Sequence, residues 1–155
     1  MNLYIMRHGM AEPYHVRPDE ERTLVVEGQN QVQSVAQRWQ TGAPAVGAII
    51  VSPYKRAQQT AVIVKNALGF SEALHTEPRI TPEGDVQEVV QCLDQLSIEN
   101  ILVVSHMPLV GGLISYLTEG DYSSFGGLVP AQLVQLGGEQ LGPGCMQIEH
   151  VLYPQ

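Results

Sequence analysis

Lysine is almost missing from this chain. Only Lys55 and Lys65 stand among eight basic residues, against sixteen acidic ones, and the net charge is −8. A surface of this sign does not draw nucleic acid or an anionic membrane, both of which ask for a basic face. Cysteine is sparse too. Cys92 and Cys145 lie far apart and form no CxxC, so both are expected to be reduced, buried thiols. The five histidines show no HExxH and no clustered spacing, so no metal site is expected, and nothing asks for an organic cofactor. No apolar run approaches the ~20 residues that span a bilayer. Arg7 and His8 interrupt the N-terminus too early for the apolar core of a signal peptide, which predicts a cytoplasmic protein. No GxxxxGK[ST] occurs, so P-loop nucleotide binding has no support. Repeats, linkers and low-complexity stretches are lacking as well. With 155 residues and 44% hydrophobic content, the chain is expected to fold as one ordered domain over 1–155.

What is present is a set of short apolar runs that end in chemistry. Leu3-Tyr4-Ile5-Met6 runs into Arg7-His8-Gly9. Such a run, closed by glycine, reads as a buried strand of an α/β sheet. Ligands in these sheets bind beyond the carboxyl ends of the strands, where Arg7 and His8 would sit. An arginine offers a rigid fork of donors to phosphate oxygens. A neutral imidazole beside it can attack phosphorus and leave again. Alone, the tripeptide proves little, because a histidine at a strand end is more often structural.

The rest of the chain repeats the pattern. Met10 to Thr23 reads as a polar surface loop carrying Pro13, Pro18, the acidic run Asp19-Glu20-Glu21 and Arg22. Arg22 is either an exposed arginine paired with a neighbouring glutamate or a second phosphate clamp. His15 lies near it without an assigned role. From Glu27 or Gly28 to about Thr41, Val32, Val35, Ala36 and Trp39 keep helical spacing, and Gly42 and Pro44 close the helix. Val46 to Val51 is a second buried strand. Ser52 then reads as an N-cap, Pro53 as the first helical residue, and Arg56 as a cation in the first turn, aimed back over the strand end. A cation there opposes the helix dipole, which fits a bound anion nearby. This helix stops at Gly69. A short strand near Ala73 to Thr76 precedes the loop Thr81-Pro82-Glu83-Gly84-Asp85 and a helix from Asp85 to about Leu96. The two carboxylates, Glu83 and Asp85, are either helix caps or acids, with capping the commoner role. Ile98 to Ser105 is the third clear strand, and Ser105-His106-Met107-Pro108 leads into another helix. Gly120 to Gly127 is loop. Pro130 to Leu136 and Met146 to Leu152 form an antiparallel hairpin across Gly137, Gly138, Gly142, Pro143 and Gly144. His75 and His150 lack a supporting motif and are read as structural.

This alternation predicts a three-layer α/β sandwich: a mostly parallel central sheet, helices on both faces, and antiparallel strands toward the C-terminus. Arg7, His8, Arg56 and His106 would then converge at one sheet edge. Two guanidiniums and two imidazoles describe a metal-independent phosphoryl-transfer site.

The ordered stretches Met6-Arg7-His8-Gly9, Arg22-Thr23-Leu24, Val51-Ser52-Pro53-Tyr54 with Arg56 to Thr60, Thr81 to Asp85, and Val104-Ser105-His106-Met107-Pro108 resemble the histidine phosphatase superfamily, which includes the phosphoglycerate mutases. The likeness is greatest to its small phosphohistidine phosphatases. It implies that His8 is the nucleophile, that Arg7 and Arg56 bind phosphoryl oxygens with Arg22 as a further contact, and that His106 stabilises the transition state. Larger members insert helices before the second histidine. Here only Asp85 to Leu96 fits, which implies an uncapped site open to a phosphorylated side chain on a protein. Glu83 and Asp85 are the candidate acids, but their surroundings differ from the mutase motif. The resemblance thus implies a metal-independent protein phosphohistidine phosphatase without cofactor. It would be a monomer acting on a phosphohistidine domain of a phosphorelay. A small phosphate-ester phosphatase and a non-catalytic phosphoprotein-binding module are the alternatives.

Overall fold

The chain alternates strand and helix for most of its length, as its apolar periodicity requires. The structure is a computed structural model that describes residues 1–42, 45–122 and 126–155. In chain order the elements are β1 (Asn2–Arg7), α1 (Val26–Gln40), β2 (Ala48–Val51), α2 (Lys55–Leu68), β3 (His75–Thr76), α3 (Val86–Gln95), β4 (Asn100–Ser105), α4 (Leu109–Glu119), β5 (Leu133–Gly138) and β6 (Met146–Leu152). The strands form one sheet in the order β3-β2-β4-β1-β5-β6. Neighbours from β3 to β1 run parallel, β5 is antiparallel to β1, and β6 is antiparallel to β5.

Side chains alternate across a strand, so each central strand feeds two cores. Leu3 and Ile5 of β1, with Ile101 and Val103 of β4, pack with Val89 and Leu93 of α3 and Leu113 and Ile114 of α4. Tyr4 and Met6, with Leu102 and Val104, pack with Val32, Val35 and Trp39 of α1 and Ala57 and Ala61 of α2. These side chains are buried, and each Val, Leu, Ile or Met among them contributes about 1.5–3 kcal/mol on removal from water. The three-layer expectation therefore holds.

The element ends depart from the sequence reading in instructive ways. The helix α2 starts at Lys55 with Tyr54 at its N-cap, so Ser52 is not the cap and Pro53 is not helical. The Ser52 hydroxyl accepts from the Tyr54 amide at 3.2 Å and also bonds a histidine ring across the sheet edge, while its own amide donates to the Val104 carbonyl at 3.1 Å just beyond β2. Gly137 and Gly138 belong to β5 rather than to the hairpin loop, because β5 continues its pairing beside Asn2 at the start of β1. Asp85 caps α3 as expected, accepting from the amides of Gln87 and Glu88. α2 ends on Gly69 at φ +66°, a conformation that other residues adopt only under strain. Cys92 is buried but Cys145 is half-exposed, against expectation, since it sits in the turn before β6; both are free thiols. Pro44 and residues 123–125 of the Gly120–Gly127 loop lie outside the described residues. Among the described residues no helix is long and apolar enough to cross a membrane.

One close approach fixes the site end of β1. A Cβ on Gly28 would lie 2.0 Å from the Met10 carbonyl oxygen, and one on Gly9 would lie 2.6 Å from the Gly28 carbonyl oxygen. The loop leaving β1 therefore rests directly on the backbone of α1.

Candidate active site

The carboxyl ends of β1, β2 and β4 lie side by side in register. Arg7 ends β1 opposite Ser105 of β4, and Val51 of β2 pairs with Val104. The residues that follow each strand are thereby delivered to one edge, and Arg7, His8, Arg56 and His106 meet there.

His8 is held by backbone on both sides. Its amide donates to the Ser105 carbonyl at 3.0 Å, and the next amide, of Gly9, donates to Thr60 Oγ1 at 3.1 Å. Its Nδ1 lies 2.7 Å from the Gly9 carbonyl oxygen. A carbonyl only accepts, so Nδ1 carries the proton and Nε2 carries the lone pair. Arg56 confirms the assignment, since its Nε donates to His8 Nε2 at 3.2 Å.

The two imidazole centroids lie 5.1 Å apart. His106 Nε2 is 2.6 Å from Ser52 Oγ, and the Tyr54 ring meets His106 edge-on at 5.0 Å. Burial lowers the His8 pKa to about 3, helped by Arg56, Arg7 and Arg22 and opposed by the bond to Gly9. Burial also takes His106 down to about 2, with His8 and the same arginines adding to the shift. Both rings are neutral at neutral pH.

The arginines differ in their ties. Arg7 donates from one terminal nitrogen to the Leu128 carbonyl at 2.6 Å. Arg56 is 3% exposed and donates to the Asp19 carbonyl at 2.6 Å. Arg22 is also buried, donating to the Glu12 carbonyl at 2.6 Å and lying over the Tyr14 ring. Of its two sequence readings, the exposed pair with a glutamate does not hold: Arg22 is buried, and its ion pair at 2.9 Å is with Asp19. Two buried polar atoms at the site, Nε of Arg7 and Nδ1 of His106, have no partner among the described residues. Leaving such atoms unpaired is costly, and an oxyanion would accept from N–H groups placed there.

The remaining candidates fall elsewhere. Asp85 holds the α3 cap and is exposed. Glu83 is exposed and lines a cleft of about 460 Å³ with Met107, Leu109 and Tyr122, beside the second histidine. Lys55 is exposed. His15, His75 and His150 are exposed and outside the pair. Only α3 lies between the Glu83 loop and β4, so among the described residues no helix is inserted at that point of the chain. Among the described residues no group of three or more His, Cys, Asp or Glu is arranged to hold a metal ion.

Three participants escaped the sequence reading. Asp19 belongs to a 3-10 turn over Asp19–Glu21 and reaches both Arg22 and Arg56. Its i, i+3 spacing to Arg22 was the available signal. Tyr54 and Ser52 contact His106, and no local spacing announces a contact made between two neighbouring strands so distant in the chain.

Comparison with known proteins gives the chain's relatives. The sequence model of the histidine phosphatase superfamily (branch 1) matches residues 3–82. The chain is 34% identical over 125 residues to phosphohistidine phosphatase SixA of Escherichia coli K12, covering 78% of this chain and 76% of that protein. It is 36% identical over 127 residues to the SixA homolog of Haemophilus influenzae, covering 76% of this chain and 77% of that one. A solved structure of the protein histidine phosphatase SixA complexed with tungstate superposes with a TM-score of 0.87 at 27% identity, over 99% of this chain and 97% of that one.

Proposed function

The chain belongs to the histidine phosphatase superfamily (branch 1), and on that premise we propose that it is a protein phosphohistidine phosphatase acting in the cytoplasm on a phosphorelay histidine domain. The observation that carries the reading is the contact of His8 Nδ1 with the Gly9 carbonyl, which leaves the lone pair on Nε2, where Arg56 Nε donates at 3.2 Å.

The chemistry follows from the donors. His8 Nε2 attacks phosphorus, a new N–P bond forms, and the substrate N–P bond breaks. Its electron pair returns to the substrate imidazole, which takes a proton from water. Water then attacks the phosphohistidine formed at position 8, releasing phosphate and restoring the neutral ring. Arg7 and Arg56 hold the equatorial oxygens, Arg22 extends the clamp, and His106 donates to charge that builds in the transition state. Positioned donors in a buried site supply most of the acceleration in such transfers.

The leaving group supports nitrogen over oxygen. An imidazole leaves with less help from a positioned acid than an alkoxide does. Asp85 is committed to its cap, and Glu83 stands exposed at the cleft wall. Neither is among the residues that surround His8, which favours phosphohistidine over phosphate esters. The uncapped edge leaves room for a protein-borne side chain.

The test is release of phosphate from a purified phosphohistidine domain in chelator-treated buffer, with wild type and His8→Ala side by side. Rapid release that the variant loses is expected. Release retained by His8→Ala would overturn the covalent route. Hydrolysis of small phosphate esters with no release from phosphohistidine would overturn the substrate.

A further inference from the structure

Arg22 and Arg56 are buried guanidiniums from different parts of the chain, and one residue joins them. Asp19 Oδ1 accepts from Arg22 Nε at 2.9 Å and forms an ion pair with Arg22 NH2 at 2.9 Å. Its Oδ2 lies 3.4 Å from Arg56 NH2, and its backbone carbonyl accepts from Arg56 NH1 at 2.6 Å. Arg56 Nε in turn meets His8 Nε2. A continuous chain of contacts therefore runs from Arg22 through Asp19 and Arg56 to the imidazole.

We infer that Asp19 is a positioning residue for the phosphoryl clamp, which holds the two guanidiniums convergent on His8 by bridging them from their outer side. The inference rests on the phosphatase reading above for what the clamp holds. Two neighbouring buried cations repel each other, and a carboxylate between them offsets that repulsion while fixing both forks. The direction of the Arg56 shift agrees: burial lowers its pKa, Asp19 opposes the fall, and Arg22 adds to it. The bridge is itself anchored. The loop that carries Asp19 is tied at its base by the Ala11–Leu24 bridge and by Glu12, which accepts from the Thr23 amide and hydroxyl at 2.8 Å each. Each bridged terminal nitrogen keeps a second hydrogen, so the bridge does not exhaust the donors.

The sign of the effect separates this role from simple charge. Removing a carboxylate near an anion site should tighten anion binding by Coulomb's law. Loss of a positioning residue should weaken it. The test is calorimetric binding of tungstate to wild type, Asp19→Asn, Asp19→Glu and Glu20→Gln, with melting curves for each, beside kcat and KM on a phosphohistidine domain. Glu20 neighbours Asp19 on the same exposed turn, and its substitution removes the same charge. Asp19→Asn should weaken tungstate binding by about tenfold or more and lower kcat/KM in step, and should lower the melting temperature as the two cations lose their bridge, with the protein still folded at the assay temperature. Asp19→Glu should recover part of the loss, and Glu20→Gln should show none. Equal or tighter tungstate binding by Asp19→Asn would overturn the role, as would an equal loss in Glu20→Gln. Tungstate binding lost in Asp19→Asn while wild type ignores phosphohistidine would uphold the bridge and overturn the substrate reading. A wild type that binds no tungstate would overturn both.

Discussion

Arg56 Nε donates to His8 Nε2 at 3.2 Å, so the lone pair assigned to attack is already in contact with a cation. The bond keeps the ring in one orientation and one tautomer. A phosphoryl group approaching Nε2 exchanges that contact for its own oxygens on the same guanidinium. Arg56→Ala should therefore lower kcat by roughly 10²–10³-fold, the usual cost of one preorganised donor. Arg56→Lys should rescue little, because an ammonium cannot reproduce the fork that reaches His8 and Asp19 together. Steady-state kinetics on a phosphohistidine domain check both, and near-wild-type turnover in the lysine variant would contradict the geometry.

Ser52 sets the second histidine. Its oxygen accepts from the Tyr54 amide, and if its hydroxyl donates to His106 Nε2, the ring proton moves to Nδ1, the atom without a partner. Ser52→Ala removes that choice. A loss in kcat of about tenfold, or about 1.4 kcal/mol, is expected with little change in KM. An unchanged kcat would show that His106 holds its tautomer without Ser52.

The two carboxylates of the 81–85 loop should separate cleanly. Asp85→Ala deletes a cap that serves two amides and should cost about 1 kcal/mol of stability while leaving turnover alone. Glu83→Gln should change neither melting nor phosphohistidine turnover by more than about twofold, given its exposure. A large loss of turnover in Glu83→Gln would restore it as the acid.

Stability should fall on mild acidification. His8 and His106 are held near 3 and 2, below their ordinary 6.5, so the unfolded chain binds protons that the folded one refuses. Their neutral state stabilises fully above 6.5, and the contribution is lost as pH falls below it, toward the folded values. Each histidine contributes a slope of up to about 1.4 kcal/mol per pH unit. Glu77, held down to about 2 first by its bond to Arg79, acts only below its ordinary 4.5. Melting between pH 7 and 5 thus isolates the histidines. His106→Asn should flatten the curve there, and an equal slope in that variant would refute the assignment.

Gly28→Ala should act at a distance. The added methyl meets the Met10 carbonyl, which is backbone and cannot rotate away. About 1–3 kcal/mol of stability should be lost, and turnover with it, since the loop displaced is the one that leaves His8. Full activity at unchanged melting would mean that α1 shifts instead.

The sequence by itself determined the layers and the carboxyl ends of β1, β2 and β4. Apolar runs of four to six residues, separated by helical periods, leave few ways to bury two faces of a sheet. Parallel connection then brings Arg7, His8, Arg56 and His106 to one edge, so the gathering of these four residues was legible from positions within single elements. Asp85 as a cap was legible for the same reason: a cap acts on amides two and three residues away. The contacts decided only by tertiary structure join residues distant in the chain. Ser52 was taken for a cap because local spacing favours one, yet a histidine 54 positions later competes for its hydroxyl at 2.6 Å. Asp19 lay in an acidic run that reads as solvated surface, and only the folding of its loop over α2 placed it between two buried cations. Glu83 and Asp85 could not be told apart from acids by spacing, because exposure is set by what packs above a loop. Periodicity records which way a side chain faces its own element. It carries no record of which element arrives opposite, and that arrival determines the partner of each polar group in this site.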